Sequence, residues 1–137
     1  MLNDLILAHR DVLILLARVL LMALFLTTGW KKLNNFSATA TYMAATGSPV
    51  PKLSAIAAII MECVIALALV VGVFTRPLAL LYVVFTLLSA LIGHRFWNAT
   101  GAEHEAQKVN FLKNLSIMGG LLLLAVTGPG KYALVPG

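Results

Sequence analysis

The sequence predicts an all-α integral membrane protein, built as an antiparallel bundle of four membrane-spanning helices. Of its 137 residues, 61% are hydrophobic and 11% are charged, whereas soluble domains are about 45 to 50% apolar and about 25% charged. The mean hydropathy is correspondingly high, at +0.96. Four apolar stretches each approach the roughly 17 to 25 residues that cross a bilayer as a helix. Because the connections between them are short, neighbouring helices are expected to run antiparallel.

The first span is predicted at about residues 12–32. It is too long for the apolar region of a cleaved signal peptide, contains Arg18 and follows acidic residues, so we interpret it as a permanent span. Its end carries the aromatic and basic residues expected where a helix leaves the hydrocarbon, namely Trp30, Lys31 and Lys32. Residues 1–11 are expected either to form a short interfacial helix or to extend this span.

The segment between the first two spans is too polar to cross a bilayer. Apolar residues recur in it at helical spacing until glycine and proline interrupt the pattern at residues 47–51. This pattern predicts a short interfacial helix at about residues 35–46. An ordinary structured loop is the alternative.

The second span is predicted at about residues 53–74, and its many alanines allow close approach of neighbouring helices. Pro77 is well placed as the first residue of the third span, at about residues 77–93. A polar loop leads to the fourth span, at about residues 109–127, which a glycine and proline pair terminates. The whole chain, residues 1–137, is predicted to form a single transmembrane domain.

Glu62 is the residue that most strongly indicates a function, because no other charged residue occurs between Leu53 and Phe74. A carboxylate in bilayer hydrocarbon is costly and needs a partner or a purpose. With a rise of about 1.5 Å per residue, Arg18 and Glu62 differ in depth by roughly 8 Å, which a long arginine side chain or a bridging water can span. We therefore expect an Arg18–Glu62 ion pair, with Lys113 as the second candidate partner.

Side A denotes the membrane face with both termini, and side B the opposite face. Asn110, Lys113 and Asn114 share one helical face by their i, i+3, i+4 spacing, and His94 and Trp97 end the third span on the same side B. The candidate ligand-binding or proton-relay residues are Arg18, Lys32, Glu62, His94, Trp97, Asn110, Lys113 and Asn114. Histidine titrates near neutral pH, which makes His94 the candidate proton carrier.

Other interpretations of these residues are open. A buried ion pair can serve only to fix which helices pack together, Lys31 and Lys32 can be interfacial anchors, and His94 can be an anchor or a member of the site. The net charge of +5 indicates contact with anionic lipid headgroups, and no nucleic-acid motif is present. The single Cys63 excludes an internal disulfide or a C-x-x-C pair. With only three histidines, the sequence predicts no metal or haem site. The sequence identifies no catalytic residue.

Several segments in order resemble the DoxX family. These are Arg18 followed by LLMALFLTTGWKKL, then FSATATYMAATGSPVP, Glu62 in its alanine-rich span, Phe74-Thr75-Arg76, His94-Arg95-Phe96-Trp97, Asn110 to Asn114, and Gly128-Pro129-Gly130. The resemblance covers about residues 12–133 and is strongest to small inner-membrane proteins of proteobacteria. It implies a four-helix, multi-pass protein of the bacterial inner membrane and an association with redox chemistry.

Three functions compete at this point. The first is a redox-linked membrane subunit that binds a quinone or similar amphipathic molecule in a polar intramembrane pocket. In this hypothesis the chain itself has no metal or covalent cofactor. The second is a carrier for a lipid-like small solute, and the third is a structural anchor for a soluble oxidoreductase. Whether the chain is an enzyme stays open. Membrane lipids are the expected partners, and a soluble oxidoreductase and further copies of the chain are additional candidates.

Overall fold

A computed structural model describes residues 1–136, and over this range the chain contains helices and no strand. The α-helices are α1 (Leu2–Ala8), α2 (Arg10–Asn34), α3 (Phe36–Ala45), α4 (Pro51–Ile59), α5 (Ala66–Val71), α6 (Thr75–Gly93) and α7 (Gly101–Thr127). A π-helical turn, Ile60–Ile65, joins α4 to α5, and a 3₁₀ turn, Phe96–Asn98, follows α6. The predicted all-α class is confirmed.

Four helical segments are long and apolar enough to cross a bilayer: Arg10–Asn34, Pro51–Val71, Thr75–Asn98 and Gly101–Thr127. We refer to them as the first to fourth spans. Each packs against the next along the chain, and the fourth returns to the first. Since only residues 72–74 separate the second span from the third, this arrangement is consistent with the predicted antiparallel bundle.

The ends of the first and fourth spans differ from the apolar stretches that predicted them. Helix α2 begins at Arg10 and is separated from α1 by a turn at His9. Helix α7 begins at Gly101, so its first turns are formed by the polar residues that precede the predicted span. Hydropathy indicates where apolar side chains begin, whereas a helix continues into polar sequence as long as its backbone hydrogen bonds are satisfied.

The interior of the bundle is narrow and consists of one row of side chains from each span. Met22 and Phe25 of α2 pack with Leu69 of α5, Tyr82 of α6 and Leu121 of α7. Most large apolar side chains of the spans are exposed instead. In a bilayer these outward side chains contact acyl chains, so the fold needs only a small protein core.

Each end of the bundle is covered by a non-spanning segment. On side B, α3 packs against α2 and α4, and the Thr39 hydroxyl donates to the Asn35 carbonyl at 2.9 Å. On side A, residues 131–135, here called the C-terminal cover, cross the end of the second span. The backbone N–H groups of Leu134 and Val135 donate to the carbonyls of Val71 and Gly72 at 3.0 and 3.1 Å.

Candidate functional site

A buried ion pair joins the first and second spans. The Lys32 ammonium lies 2.8 Å from Oε1 and 2.7 Å from Oε2 of Glu62. The Thr28 hydroxyl donates to the same Oε2 at 2.9 Å. The Glu62 side chain is 8% exposed and that of Lys32 is 25% exposed. The carboxylate is therefore enclosed in the bundle, and the ammonium lies between it and side B.

Gly29 sets the register at which these two spans meet. A Cβ atom at this position would lie 2.7 Å from the Cβ of Glu62 and 2.9 Å from the Sγ of Cys63. Only glycine allows such a close approach, so Gly29 stands level with Glu62. Lys32 follows one turn later, and helical side chains incline toward the N-terminus of their helix. Its ammonium is thereby directed back to the carboxylate.

The predicted Arg18–Glu62 pair is wrong. Because Gly29 stands level with Glu62, Arg18 lies eleven residues lower on α2, at a depth difference of about 16 Å by the helical rise. Arg18 is fully buried, and its Nη2 donates to the backbone carbonyl of Tyr132 in the C-terminal cover. The sequence-based estimate measured depth from the ends of the apolar stretches. The register is fixed instead by contact between two helices.

Glu62 lies within the π-helical turn of the second span. Such turns occur mostly inside α-helices and often at functional sites, and here the hydroxyl of Tyr82 donates to the carbonyl of Met61 in the same turn at 2.7 Å. Tyr82 also contacts Phe25 and Phe85 edge-on, with ring centroids 4.8 and 5.6 Å apart. An aromatic cluster thus packs on the side of the ion pair that faces the bundle interior.

The remaining predicted residues do not join the ion pair. His94 Nδ1 lies 2.9 Å from Oε1 of Gln107, which ties the end of α6 to the start of α7. Trp97 is exposed and packs edge-on against Phe96 and Phe111, with centroids 5.2 and 6.0 Å apart. The predicted side-B site is therefore divided into an ion pair on the first two spans and an aromatic and histidine group on the last two.

Lys113 is not a partner of Glu62, contrary to the second sequence-based expectation. It is exposed, and Asn110 and Asn114 are half-buried. Within residues 1–136, no side-chain hydrogen bond or ion pair involves Asn110, Lys113 or Asn114. The shared helical face of these three residues was predicted correctly from spacing, but spacing does not tell toward which neighbour a face is turned.

Thr28 is a site residue that sequence reasoning missed. It lies four residues before Lys32, so the same helical spacing that grouped Asn110 with Asn114 places it on the Lys32 face. A threonine in an apolar span is common and gave no separate signal. Its role follows only from the position of Glu62 on the neighbouring helix.

The geometry leaves one N–H donor of Lys32 available on the side-B end of the ion pair. A lysine ammonium has three N–H donors, and two of them are directed to the Glu62 carboxylate. The third belongs to a group that is partly exposed at side B. A polar atom of a ligand, such as a carbonyl oxygen, can accept a hydrogen bond there while Lys32 keeps its counter-ion.

Comparisons with known proteins agree with the membrane fold. The family model described as DoxX matches residues 13–95. The inner membrane protein YphA of Escherichia coli (strain K12) is 46% identical over 127 residues, covering 93% of this chain and 91% of that protein. The inner membrane protein YqjF of the same organism is 42% identical over 128 residues, covering 91% of each chain. No solved structure matches the chain significantly.

Proposed function

The chain belongs to the DoxX family and is an integral protein of the inner membrane, and from this premise we propose that it binds a quinone or a similar amphipathic carbonyl compound at the Lys32–Glu62 pair. The observation that carries the proposal is the partly exposed ammonium with a free donor, held by a carboxylate 2.7 Å away inside an apolar bundle. An ion pair placed only to join two helices needs no opening toward the membrane surface.

The neighbouring residues suit such a ligand. The third N–H of Lys32 donates to a quinone carbonyl oxygen, where negative charge develops on reduction. Lys32 is placed to pass a proton to that oxygen and to recover one from water at side B, while the Glu62 carboxylate balances its charge. An apolar groove of 890 Å³ between α3 and the start of α4 opens on the same side, with Phe36, Ala40 and Val50 in its lining. This groove offers a surface for an isoprenoid tail.

Reduction of a quinone to a quinol consumes two electrons and two protons. In this proposal the chain holds the ligand and delivers protons, and a partner oxidoreductase delivers the electrons. The protein is then a membrane subunit linked to redox metabolism. The partner would dock on side B, the face at which Lys32 is exposed.

Quinone binding can be measured directly because Trp30 precedes Lys31 and Lys32 on α2 and quinones quench indole fluorescence. The purified protein in lipid nanodiscs is titrated with ubiquinone-1. We expect saturable quenching, with Kd at least about tenfold higher in Lys32→Gln and Glu62→Gln, a loss of about 1.4 kcal/mol. Lys31→Gln is the matched control, because Lys31 is exposed on the same helix and should leave Kd unchanged.

Two results would contradict the proposal. One is quenching that rises linearly with ubiquinone-1 in the native protein, which indicates partition into lipid without a site. The other is an unchanged Kd in both Lys32→Gln and Glu62→Gln. In either case the ion pair has a structural role only.

A further inference from the structure

Arg18 carries a positive charge that no residue of the described chain balances. Its side chain is fully buried, and arginine stays protonated in proteins. Nη2 donates to the Tyr132 carbonyl, but Nε and Nη1 have no hydrogen-bond partner. Over residues 1–136, no carboxylate forms an ion pair with it. A buried, uncompensated charge with unsatisfied donors is costly.

The backbone around Arg18 is shaped to hold the guanidinium. Gly72 ends α5 with a φ of +80°, a conformation that favours glycine. A Cβ atom there would overlap Nη1 of Arg18 and lie 2.6 Å from the Cβ of Ala133. The second span and the C-terminal cover thus both lie against the guanidinium.

Arg76 shows how this chain satisfies an arginine that has only a structural role. Its Nη1 donates to the carbonyls of Ala125 and Val126 at 2.9 and 2.6 Å, which caps the end of α7. Arg18 lies at the same end of the bundle but lacks comparable acceptors. The hydroxyl of Thr75, three residues beyond Gly72, is also buried without a partner. The buried donors of Arg18 are therefore free to bind a polar group from outside the chain.

We propose that Arg18 anchors a binding site for a phosphate group at side A, which the C-terminal cover closes. Nε and Nη1 leave donors on both edges of the guanidinium fork, the geometry that suits phosphate oxygens. Arg10 and Lys131 are exposed on the same face and favour the approach of an anion. The phosphate is either free inorganic phosphate or the headgroup phosphate of an anionic phospholipid, which the bilayer supplies at this surface.

The C-terminal cover is the part that admits the ligand. It is held by backbone hydrogen bonds to Val71 and Gly72, by the Arg18 bond to Tyr132 and by the bond from the Lys131 N–H to Asp11 at 3.0 Å. A phosphate that reaches Arg18 takes the place of the Tyr132 carbonyl. Binding therefore replaces the carbonyl oxygen of Tyr132 with a charged phosphate oxygen as the acceptor for Arg18. Because the Tyr132 bond is then lost, the C-terminal cover moves outward.

Thermal unfolding of the protein in nanodiscs tests the site and separates the two sources. In phosphatidylcholine nanodiscs, sodium phosphate is added at constant ionic strength. In a second arm without inorganic phosphate, anionic phosphatidylglycerol replaces half of the zwitterionic phosphatidylcholine. A ligand that binds only the folded state raises Tm, and we expect a rise of about 3 °C or more in at least one arm. A response to inorganic phosphate identifies a free ligand, and a response only to phosphatidylglycerol identifies a lipid headgroup.

Variants of two basic residues on α2 locate the effect. Arg18→Met should lose the rise in Tm, and Arg18→Lys should keep a smaller one because it retains the charge without the fork. Lys31→Gln, at the opposite side of the membrane, should behave as the native chain. If Arg18→Met does not fold, Arg18→Lys alone decides. A rise of equal size in native and Arg18→Lys protein, or no rise in either arm, would overturn the proposal and leave Arg18 solvated by water only. Quinone quenching at Lys32 reports independently on the other site.

Discussion

At the scale of single residues, Gly29 determines which charges meet. Its contact with Glu62 and Cys63 leaves no room for a methyl group, and this contact places Lys32 rather than Arg18 beside the carboxylate. A residue with no side chain thus selects the ion pair. The effect is steric, so a small substitution should reveal it.

Gly29→Ala should separate the first two spans and destabilise the protein by about 1 to 3 kcal/mol, the usual cost of overpacking. Gly119→Ala is the matched control, since it is also a helical glycine but has no atom within 4 Å of the added Cβ. There alanine should be neutral or stabilising by about 1 kcal/mol. Unfolding in detergent at increasing denaturant measures both. Equal stability of the two variants would show that the helices do not touch at Gly29.

The ion pair should respond asymmetrically to removal of its two members. Lys32→Met leaves a carboxylate that is almost fully enclosed and should cost about 3 kcal/mol. Glu62→Leu should cost less, because the long lysine side chain can reach side B and water. The double variant should be more stable than Lys32→Met alone. The same unfolding assay measures this cycle, and additive losses would indicate that the two side chains do not interact.

At the scale of elements, the sequence predicted the spans well and the segments that connect and cover them less well. Apolar stretches identified each membrane helix. The spacing of Arg18, Phe25 and Gly29 along α2 is consistent with the single face on which the structure buries them. The π-helical turn could not be predicted, because an apolar run gives no indication of an additional residue in one turn. Nor could the C-terminal cover, whose hydrogen bonds join residues far apart in sequence.

The π-helical turn should tolerate the loss of one residue. A π-turn holds one residue more than the α-helix around it, so deletion of the exposed Val64 converts the turn to α-helix and keeps the faces of α4 and α5 in place. We expect a monodisperse, folded protein with a lower Tm, since the Tyr82 bond to Met61 is disturbed.

Deletion of the exposed Ile56 in α4 is the matched control. No wide turn is present in α4 to compensate for this deletion. The loss of one residue therefore rotates the preceding part of the span by about 100° relative to Glu62. That variant should aggregate on size-exclusion chromatography. If both deletions behave alike, the π-turn is not a separable insertion.

For the molecule as a whole, the burial of one lysine changes the balance of basic residues that determines membrane orientation. Among the basic residues that flank the four apolar stretches, five on side B against three on side A favour cytoplasmic loops after the first and third spans, with the termini outside. Lys32 is now engaged inside the bundle with Glu62. The flanking basic residues that remain are four on side B and three on side A, namely Lys31, Lys52, Arg95 and Lys108 against Arg10, Arg76 and Lys131. The positive-inside bias is therefore small.

A small bias should be easy to reverse. We expect a C-terminal alkaline phosphatase fusion to be active and a C-terminal green fluorescent protein fusion to be dark in the native chain, because the remaining excess of basic residues on side B favours a cytoplasmic side B and a C-terminus outside. Lys52→Gln combined with Lys108→Gln leaves two of these flanking basic residues on side B against three on side A and should shift the reporter ratio toward fluorescence. Glu103→Gln, in the same polar first part of α7 as Lys108, should have no effect, since acidic residues contribute little to topology. An unchanged ratio in the double variant would mean that some feature other than these lysines fixes the orientation.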